Sequence, residues 1–495
     1  MTQPLVVFVH GWSVQHTRTY GGLPARLQQA AEADGLPIDV AHLYLGEYIS
    51  FRDEVRVEDI AHAFDAALRA VLKASGRQRA VCITHSTGGP VVREWLARRQ
   101  TETDTARCPI SHLVMLAPAN FGSALAQLGK ARVGRLKAAF AGVEPGQRVL
   151  DWLELGSAEA WRRNHDHIHQ LDARAQAPWS FVLCGDAIDR KLYDHVNPYT
   201  GETGSDGVVR LAAANLNASH LVIRQPPVPS GISMAAARQR LQTLSMVSTT
   251  RAAPTAFKIL PGLAHSGTRI GIMGSVAARG DHPTVDAVMR CLRVRDARSY
   301  AALTRAFDAE NARHQAEANR LEVERVPVLP DRHHIHDPCA QLMLRIRDDH
   351  GAVVDDIDVL LTRPGTRGAD RMPRGFLVDR QANRCGSGVL TFYLNHAVLA
   401  GAGPVVDTGG TLIRPALAPF GPYGLTLSPR HPDDAVTYCP ATLPPYSGNV
   451  LPYLRPNETT LVDIVLTRVV REGVFRLRRS LKPRAFKADR PGGVA

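Results

Sequence analysis

Residues 80–96, AVCITHSTGGPVVREWL, decide the fold of this chain. Residues 80–84 form a short apolar run, partly β-branched, which predicts a strand that is buried on both faces. From Val91 onward, apolar residues recur at helical spacing with charged residues between them, which predicts an amphipathic helix. The strand changes to a helix across residues 84–89. A bend this tight holds its central residue, Ser86, in a strained backbone conformation with the hydroxyl exposed.

The residues of this bend suit a serine nucleophile with an oxyanion site beside it. Gly88 and Gly89 allow the helix to pack closely on the strand, and Pro90 suits a first helical turn because it has no N–H to lose. The N–H of Thr87 is predicted to point to the position where a tetrahedral oxyanion would form. The sequence therefore predicts Ser86 as a nucleophile and Thr87 as an oxyanion donor.

The turn resembles the nucleophile elbow, G-x-S-x-G, of α/β-hydrolases, with Thr84 at the place of the first glycine. Residues 4–9, PLVVFV, predict a buried strand that leads into His10-Gly11-Trp12. In α/β-hydrolases, an H-G-x sequence after the first central strand supplies the other oxyanion N–H. The resemblance therefore implies that Trp12 works together with Thr87 as an oxyanion donor.

Strand and helix patterns alternate as far as a closing helix at residues 283–292, which predicts a parallel sheet. An insertion at about residues 122–175 predicts a helical cap. Beyond residue 338 the pattern changes to strands and turns. The predicted fold class is α/β, namely an α/β-hydrolase doubly wound, mostly parallel sheet with a helical cap insertion, plus a C-terminal β-sandwich-like domain.

These patterns divide the 495 residues into four parts. Residues 1–325 are predicted to form the α/β-hydrolase catalytic domain, which includes the cap. A linker rich in Pro and His is predicted at residues 326–337. A β-rich accessory domain is predicted at residues 338–480, and a basic tail at residues 481–495.

Two further motifs narrow the resemblance to lipases. Residues 117–123, APANFGS, resemble the L-x-x-P-x-x-G-S stretch found after this strand in lipases of the lecithin–cholesterol acyltransferase, GPI-inositol-deacylase and small bacterial types. Residues 204–209, GSDGVV, resemble the acid motif of the same lipases, which implies that Asp206 is the catalytic acid. Asp186 is the alternative acid, because it lies nearer the end of its predicted strand.

The general base is predicted in the loop after the last central strand. Residues 256–260, AFKIL, predict that strand, and His265 follows it in a loop of small residues. In α/β-hydrolases the catalytic histidine lies in this place. His220 and His282 are the nearest competitors for the role.

The resemblance implies a triad of Ser86, Asp206 and His265, in the chain order of α/β-hydrolases. Ser86 would attack an ester carbonyl, His265 would take and return the proton, and Asp206 would hold the imidazole. We therefore predict a serine hydrolase of lipid esters, typical of a lipase or phospholipase, that uses no cofactor. Two alternatives remain. One is a soluble-substrate esterase or acyltransferase with the same triad, and the other is a mainly binding or scaffolding protein that contacts an anionic partner.

The charge of the chain favours an anionic surface as a partner. The net charge is +12, and residues 468–490 contain nine Lys or Arg against two acidic residues. No nucleic-acid-binding motif accompanies this charge. We therefore expect the basic cap and tail to contact an anionic membrane that supplies the lipid ester or phospholipid substrate, and we expect no nucleic-acid partner. The sequence predicts no particular oligomeric state.

Cysteine usage and the N-terminus bear on localisation. The seven cysteines are scattered and form no paired spacing, which favours synthesis in a reducing compartment. No apolar run approaches the ~20 residues of a membrane span, and no Sec signal is recognised. We expect synthesis in the cytoplasm, and export, if any, by a specialised route. The basic surface and appended β domain also resemble lipase effectors of type VI secretion systems.

Three histidines of the predicted cap raise the question of a metal. His165 and His169 are four residues apart and would share a helix face, with His167 between them and Asp166 and Asp172 nearby. Some small bacterial lipases hold zinc in the cap through His and Asp. Because the remaining ligands of such a set are not recognised here, we interpret these residues as a solvated polar face and predict no metal.

Overall fold

The computed structural model describes residues 3–10, 20–45, 52–101, 108–127, 146–170, 177–188, 203–229, 233–317, 321–324, 332–362, 372–407, 409–430, 436–446 and 448–470. The strands of these residues are β1 (Leu5–His10), β2 (Asp39–Tyr44), β3 (Ala80–His85), β4 (Ile110–Leu116), β5 (Trp179–Gly185), β6 (Ala218–Arg224), β7 (Ser245–Arg251), β8 (Ala256–Leu260), β9 (Leu321–Glu324), β10 (Arg332–Ile335), β11 (Cys339–Asp348), β12 (Ile357–Thr362), β13 (Leu377–Ala382), β14 (Val389–Asn395), β15 (Val405–Val406), β16 (Leu412–Arg414), β17 (Gly424–Pro429), β18 (Val436–Thr437), β19 (Ala441–Leu443), β20 (Thr459–Leu466) and β21 (Val469–Val470). The α-helices are α1 (Leu23–Ala33), α2 (Val57–Ser75), α3 (Gly88–Thr101), α4 (Gln147–Leu153), α5 (Ala158–Ile168), α6 (Leu211–Ala214), α7 (Met234–Arg240), α8 (Pro283–Leu292), α9 (Ala297–Glu317) and α10 (His396–Ala400).

The first sheet has six parallel strands in the order β2-β1-β3-β4-β5-β8. Every residue of β1 and the first five residues of β3 are buried, as expected for a sheet covered on both faces. Helix α1 packs against α8, and α2 packs against α3. The predicted mostly parallel, doubly wound α/β sheet is thereby confirmed.

The direction of strand addition reverses between β1 and β3. The chain adds β2 on one side of β1 and then returns to add β3 on the other side. Ligands of such sheets bind at the carboxyl ends of the strands beside this switch point. The turn after β3, which contains Ser86, therefore lies at the place where this architecture holds a substrate.

Helices α4 and α5 belong to the predicted cap. The Ser123 N–H donates to the carbonyl of Leu153 at 2.8 Å, which ties the end of α4 to the start of the insertion. The side chain of Asn164 on α5 donates to the carbonyl of Asn120 at 2.8 Å, which ties α5 to the loop after β4. Four basic residues of the predicted cap, Lys130, Arg132, Arg135 and Lys137, lie outside the described residues.

The second sheet, which we call the accessory sheet, has six strands in the order β13-β14-β11-β20-β6-β7. A three-stranded sheet, β12-β17-β19, shares one apolar core with it. Two sheets that face each other across a common core have the arrangement of a β-sandwich. The predicted additional β-rich unit is therefore present.

The strands of this unit do not come from one continuous segment. β6 pairs in parallel with β20, and β7 pairs with β6. The sequence analysis assigned residues 218–251 to the hydrolase domain, whereas the structure pairs these two strands with the second sheet. The partner of β6 lies more than 200 residues later in the chain, so no local pattern of residues could indicate this pairing.

Two other predicted segments are the linker and the basic tail. Part of the predicted linker pairs as a hairpin, because β10 is antiparallel to β9. The predicted tail at residues 481–495 lies outside the described residues. Among the described residues, no helix combines the length and apolar character that crossing a membrane requires.

Candidate active site

The turn between β3 and α3 has the strained conformation that the sequence predicts. Ser86 has a φ of 54°, in the left-handed region, and its N–H donates to the carbonyl of Leu116 at 3.0 Å. A Cβ at Gly89 would lie only 2.8 Å from Cβ of Pro118, so this position requires glycine for close packing. Thr84 is accommodated because Gly88 opposes it, where an added Cβ would lie 3.3 Å from Cβ of Thr84.

Ser86, His265 and Asp206 form one hydrogen-bonded chain. Nε2 of His265 lies 3.1 Å from Oγ of Ser86, and Nδ1 of His265 lies 2.9 Å from Oδ2 of Asp206. Ser86 is 7% exposed, His265 1% and Asp206 0%. A hydroxyl, an imidazole and a carboxylate in this order can generate a nucleophile and return its proton to a leaving group.

The carboxylate of Asp206 is fixed on both oxygens. Oδ1 accepts the backbone N–H groups of Val208 at 3.0 Å and Val209 at 2.7 Å, which leaves Oδ2 to face His265. The backbone N–H of His265 also donates to the carbonyl of Asp206 at 2.9 Å. Backbone donors stabilise an ionised carboxylate, so the GSDGVV turn orients the charge toward the imidazole.

The competing acid, Asp186, is engaged elsewhere. Its Oδ1 accepts the backbone N–H of Gly262 at 2.8 Å, and its Oδ2 lies 2.5 Å from Nε2 of His314. The structure therefore pairs Asp206, rather than Asp186, with His265.

The competing histidines are also placed away from Ser86. Nε2 of His220 lies 2.9 Å from Oδ2 of Asp463 on β20. His282 is the N-cap of α8, where its Nδ1 accepts the N–H of Thr284 at 3.2 Å. Of the three candidate bases, the structure brings His265 alone into hydrogen-bonding distance of Ser86.

His85 contacts the same site, and the sequence analysis missed it. Its Nε2 donates to the carbonyl of His265 at 3.0 Å, and the two rings lie 4.6 Å apart. Burial, and then the neighbouring imidazole, lower the pKa of His85 well below its ordinary value, so it is neutral at pH 7. The signal for this contact is its place immediately before Ser86 in the elbow.

Of the two predicted oxyanion donors, one lies among the described residues and the other does not. Thr87 follows Ser86 directly and precedes α3, so its N–H lies at the positive end of a helix. The second predicted donor, Trp12, lies outside the described residues. Strand β1 ends at His10, whose Nε2 is 2.8 Å from Nδ1 of His42, and burial followed by this neighbour lowers the pKa of His10 to about 3.

A narrow apolar pocket opens beside the elbow. The lining residues are Leu45, Val57, Ile60, Thr87, Gly88, Pro90, Val91, Val149, Trp152 and Leu153. Three of them, Val149, Trp152 and Leu153, belong to α4 of the cap. The space between these side chains is smaller than an acyl chain, so an aliphatic chain attached to a carbonyl at Ser86 would enter only if the cap moved.

Three histidines lie together at a second place. One ring nitrogen from each of His165, His169 and His220 lies within 4.8 Å of the others, a spacing that could hold a metal ion. The prediction interpreted the first two as a solvated face because it lacked further ligands. The structure places His220 of β6 beside them, and its distance along the chain explains why the sequence did not indicate this contact.

Comparisons with known proteins place the whole chain beside one phospholipase. Phospholipase PlaB from Legionella pneumophila has a TM-score of 0.81 and 39% sequence identity, over 100% of this chain and 99% of that one. The same enzyme in complex with thio-NAD has a TM-score of 0.80 and 39% identity, over 98% of each chain. Lipase BlEst2 from Bacillus licheniformis, in its mature form, has a TM-score of 0.31 and 17% identity, over 43% of this chain and 79% of that one. No protein-family model matches the sequence, and a search of curated proteins found no match.

Proposed function

This chain belongs to the family of phospholipase PlaB and is a lipid ester hydrolase of the α/β-hydrolase superfamily, and on this premise we propose that Ser86, His265 and Asp206 are its catalytic triad. The hydrogen-bonded chain through Nε2 and Nδ1 of His265 is the single observation that carries the proposal. Family membership also favours an enzyme over the alternative of a mainly binding or scaffolding protein.

In the proposed reaction, the Ser86 hydroxyl attacks the ester carbonyl while Nε2 of His265 accepts its proton. The imidazolium is stabilised by Asp206, whose charge is held by backbone N–H groups. The N–H of Thr87, and that of Trp12 by resemblance, would stabilise the oxyanion. The same proton passes from His265 to the leaving alcohol, and water then releases the acyl group by the reverse sequence.

The substrate class follows from the pocket and the family. We propose a phospholipid, whose acyl chain would enter the apolar pocket beside Thr87. Ser86 is 7% exposed, and α4 lines the pocket, so a long acyl chain would require this part of the cap to move. An anionic membrane would be contacted through the basic cap and tail. Export by a specialised secretion system stays a prediction of the sequence.

The test is hydrolysis of a panel of substrates by wild type and Ser86→Ala. The panel contains a short water-soluble ester, a triglyceride, phosphatidylcholine and phosphatidylglycerol, and a fluorophosphonate probe reports labelling of the serine. We expect wild type to cleave phospholipids and to be labelled, and the variant to do neither. Equal labelling of both proteins would overturn the nucleophile. Cleavage of the soluble ester alone, or acyl transfer to an added alcohol in preference to hydrolysis, would instead support the esterase or acyltransferase alternative.

A further inference from the structure

Three histidines converge between the cap and the accessory sheet. His165 lies in the last turn of α5, His169 caps the end of that helix, and His220 lies on β6. One ring nitrogen from each lies within 4.8 Å of the other two. We propose that these imidazoles bind a single Zn²⁺ ion that joins α5 to the accessory sheet.

The distances fit a metal centre. Zinc binds imidazole nitrogen at about 2.0–2.1 Å in tetrahedral geometry, which separates two ligand nitrogens by roughly 3.3 Å. Nε2 of His169 and Nδ1 of His220 are 2.9 Å apart, close to that separation. The ring centroids of the three histidines are 4.4, 4.9 and 5.0 Å apart. Small side-chain rotations would therefore bring all three nitrogens onto one ion.

Asp463 sets the tautomer of His220. Its Oδ2 lies 2.9 Å from Nε2 of His220, while Arg345 binds both of its oxygens, with Nε at 2.6 Å and Nη2 at 2.9 Å. A carboxylate held by Arg345 accepts the hydrogen bond of the Nε2–H of His220, which leaves the lone pair of Nδ1 facing His169.

This carboxylate–imidazole pair has the form of an outer-shell contact to a metal ligand. Metal-bound histidines donate their other ring N–H to a carboxylate or carbonyl, which fixes the ring and makes it a better ligand. The nearest carboxylate to His165 is more distant, with Oδ1 of Asp166 3.5 Å from Nδ1 of His165. When zinc binds, it replaces the proton that lies between Nε2 of His169 and Nδ1 of His220. His169 then carries its proton on its own Nδ1 instead of on Nε2.

The ligand set indicates the class of metal. Imidazole nitrogen suits Zn²⁺ and neighbouring transition metals, whereas Mg²⁺ and Ca²⁺ prefer oxygen. His220 is buried, and His165 and His169 are partly exposed, so solvent reaches the site and water can complete the tetrahedron. The ion would tie helix α5 of the cap to strand β6, and would thereby stabilise the contact between the cap and the accessory sheet.

The experiment uses the full-length chain with its affinity tag removed. Calorimetric titration with ZnCl₂ measures binding, and titration with Co²⁺ reports tetrahedral coordination by its visible absorption. The variants are His165→Gln, His169→Gln and Asp463→Asn, with His62→Gln on α2 as the matched control, since its side chain is exposed and lies outside the cluster.

We expect one Zn²⁺ per chain, a Co²⁺ spectrum typical of a tetrahedral site, and a higher Tm in the presence of Zn²⁺. Asp463→Asn should weaken binding by roughly 10–100-fold, as loss of an outer-shell partner does, and each ligand variant should weaken it more. Lack of saturable binding by wild type would overturn the proposal. So would His165→Gln and His169→Gln proteins that bind zinc as tightly as His62→Gln. Because the readouts are binding and Tm, a failure here leaves the proposed triad unaffected.

Discussion

Arg210 lies four residues after Asp206 and forms a buried ion pair with Asp379 of the accessory sheet, with Nη2 2.5 Å from Oδ2. The guanidinium also lies 4.1 Å from the centre of the Tyr393 ring, and the Tyr393 hydroxyl donates to the carbonyl of Gly204 at 2.9 Å. The accessory sheet therefore holds both ends of the turn that carries Asp206. A domain without a residue in the triad thus contributes to the position of the proposed acid.

The first prediction concerns this ion pair. Arg210 is 1% exposed, so Asp379→Asn would remove the negative charge that Asp379 places beside a buried guanidinium. Removal of one partner of a buried pair costs about 3–5 kcal/mol. We expect the urea midpoint to fall accordingly, and kcat to fall because the Asp206 turn loses an anchor.

Asp358→Asn is the matched control for that change. Asp358 pairs with Arg430, but the two side chains are 45% and 61% exposed. Pairs in solvent contribute little, so the urea midpoint should hardly change. If Asp379→Asn and Asp358→Asn behave alike, the accessory sheet does not hold the turn through this contact.

The second prediction separates the two candidate acids. Asp206→Asn should lower kcat by about 10⁴-fold, the size of effect seen when the aspartate of another catalytic triad is replaced by asparagine. Asp186→Asn should leave kcat near the wild-type value, because Asp186 binds Gly262 and His314 instead of His265. Steady-state kinetics on one phospholipid decides the matter. The opposite ranking of the two variants would exchange their roles.

The third prediction concerns acid stability. Glu310 on α9 binds both Nη atoms of Arg290 at 2.7 and 3.0 Å and Nζ of Lys258 at 2.7 Å. The hydrogen bonds from Arg290 are the main cause that lowers the pKa of Glu310 from 4.5 to about 2. A lowered folded-state pKa means that ionised Glu310 stabilises the protein above about pH 4.5, and that this contribution is lost as the pH falls toward 2.

Glu310→Gln should therefore lower Tm at pH 7, and the difference from wild type should shrink as the pH falls below 4.5. The control is Glu32→Gln on the exposed face of α1, which should show no such trend. A Tm difference that grows on acidification would contradict the assignment.

The fourth prediction concerns the proposed membrane contact of the C-terminal segment. Residues 468–490 carry nine basic and two acidic residues, with Phe475, Leu477, Leu481 and Phe486 among them. Each basic residue near an anionic leaflet contributes about 1 kcal/mol, so the full-length chain should co-sediment with phosphatidylglycerol vesicles more than with phosphatidylcholine vesicles. A chain that ends at Val474 should lose most of this preference. Equal binding by both chains would show that residues 475–495 do not anchor the protein to the vesicles.

The sequence by itself predicted the hydrolase sheet, the elbow and the chain order of the proposed triad. Residues 80–96 contain the strand, the turn and the helix in one local stretch, so their apolar spacing and glycines were sufficient to predict Ser86 in a strained turn. His265 and Asp206 lie in loops after predicted strands, and the α/β-hydrolase resemblance indicated both. Local residue patterns report local backbone geometry, which is why the strand, turn and helix of the elbow could be predicted from one stretch.

Only the tertiary structure decided which distant side chains meet. It pairs Asp206 with His265 and Asp186 with His314, although both acids follow strands in the sequence. It also places β6 beside β20, which brings His220 to the cap helix. Such contacts depend on long-range strand pairing and on burial of apolar faces against partners far along the chain, and these are properties that no short stretch of residues contains.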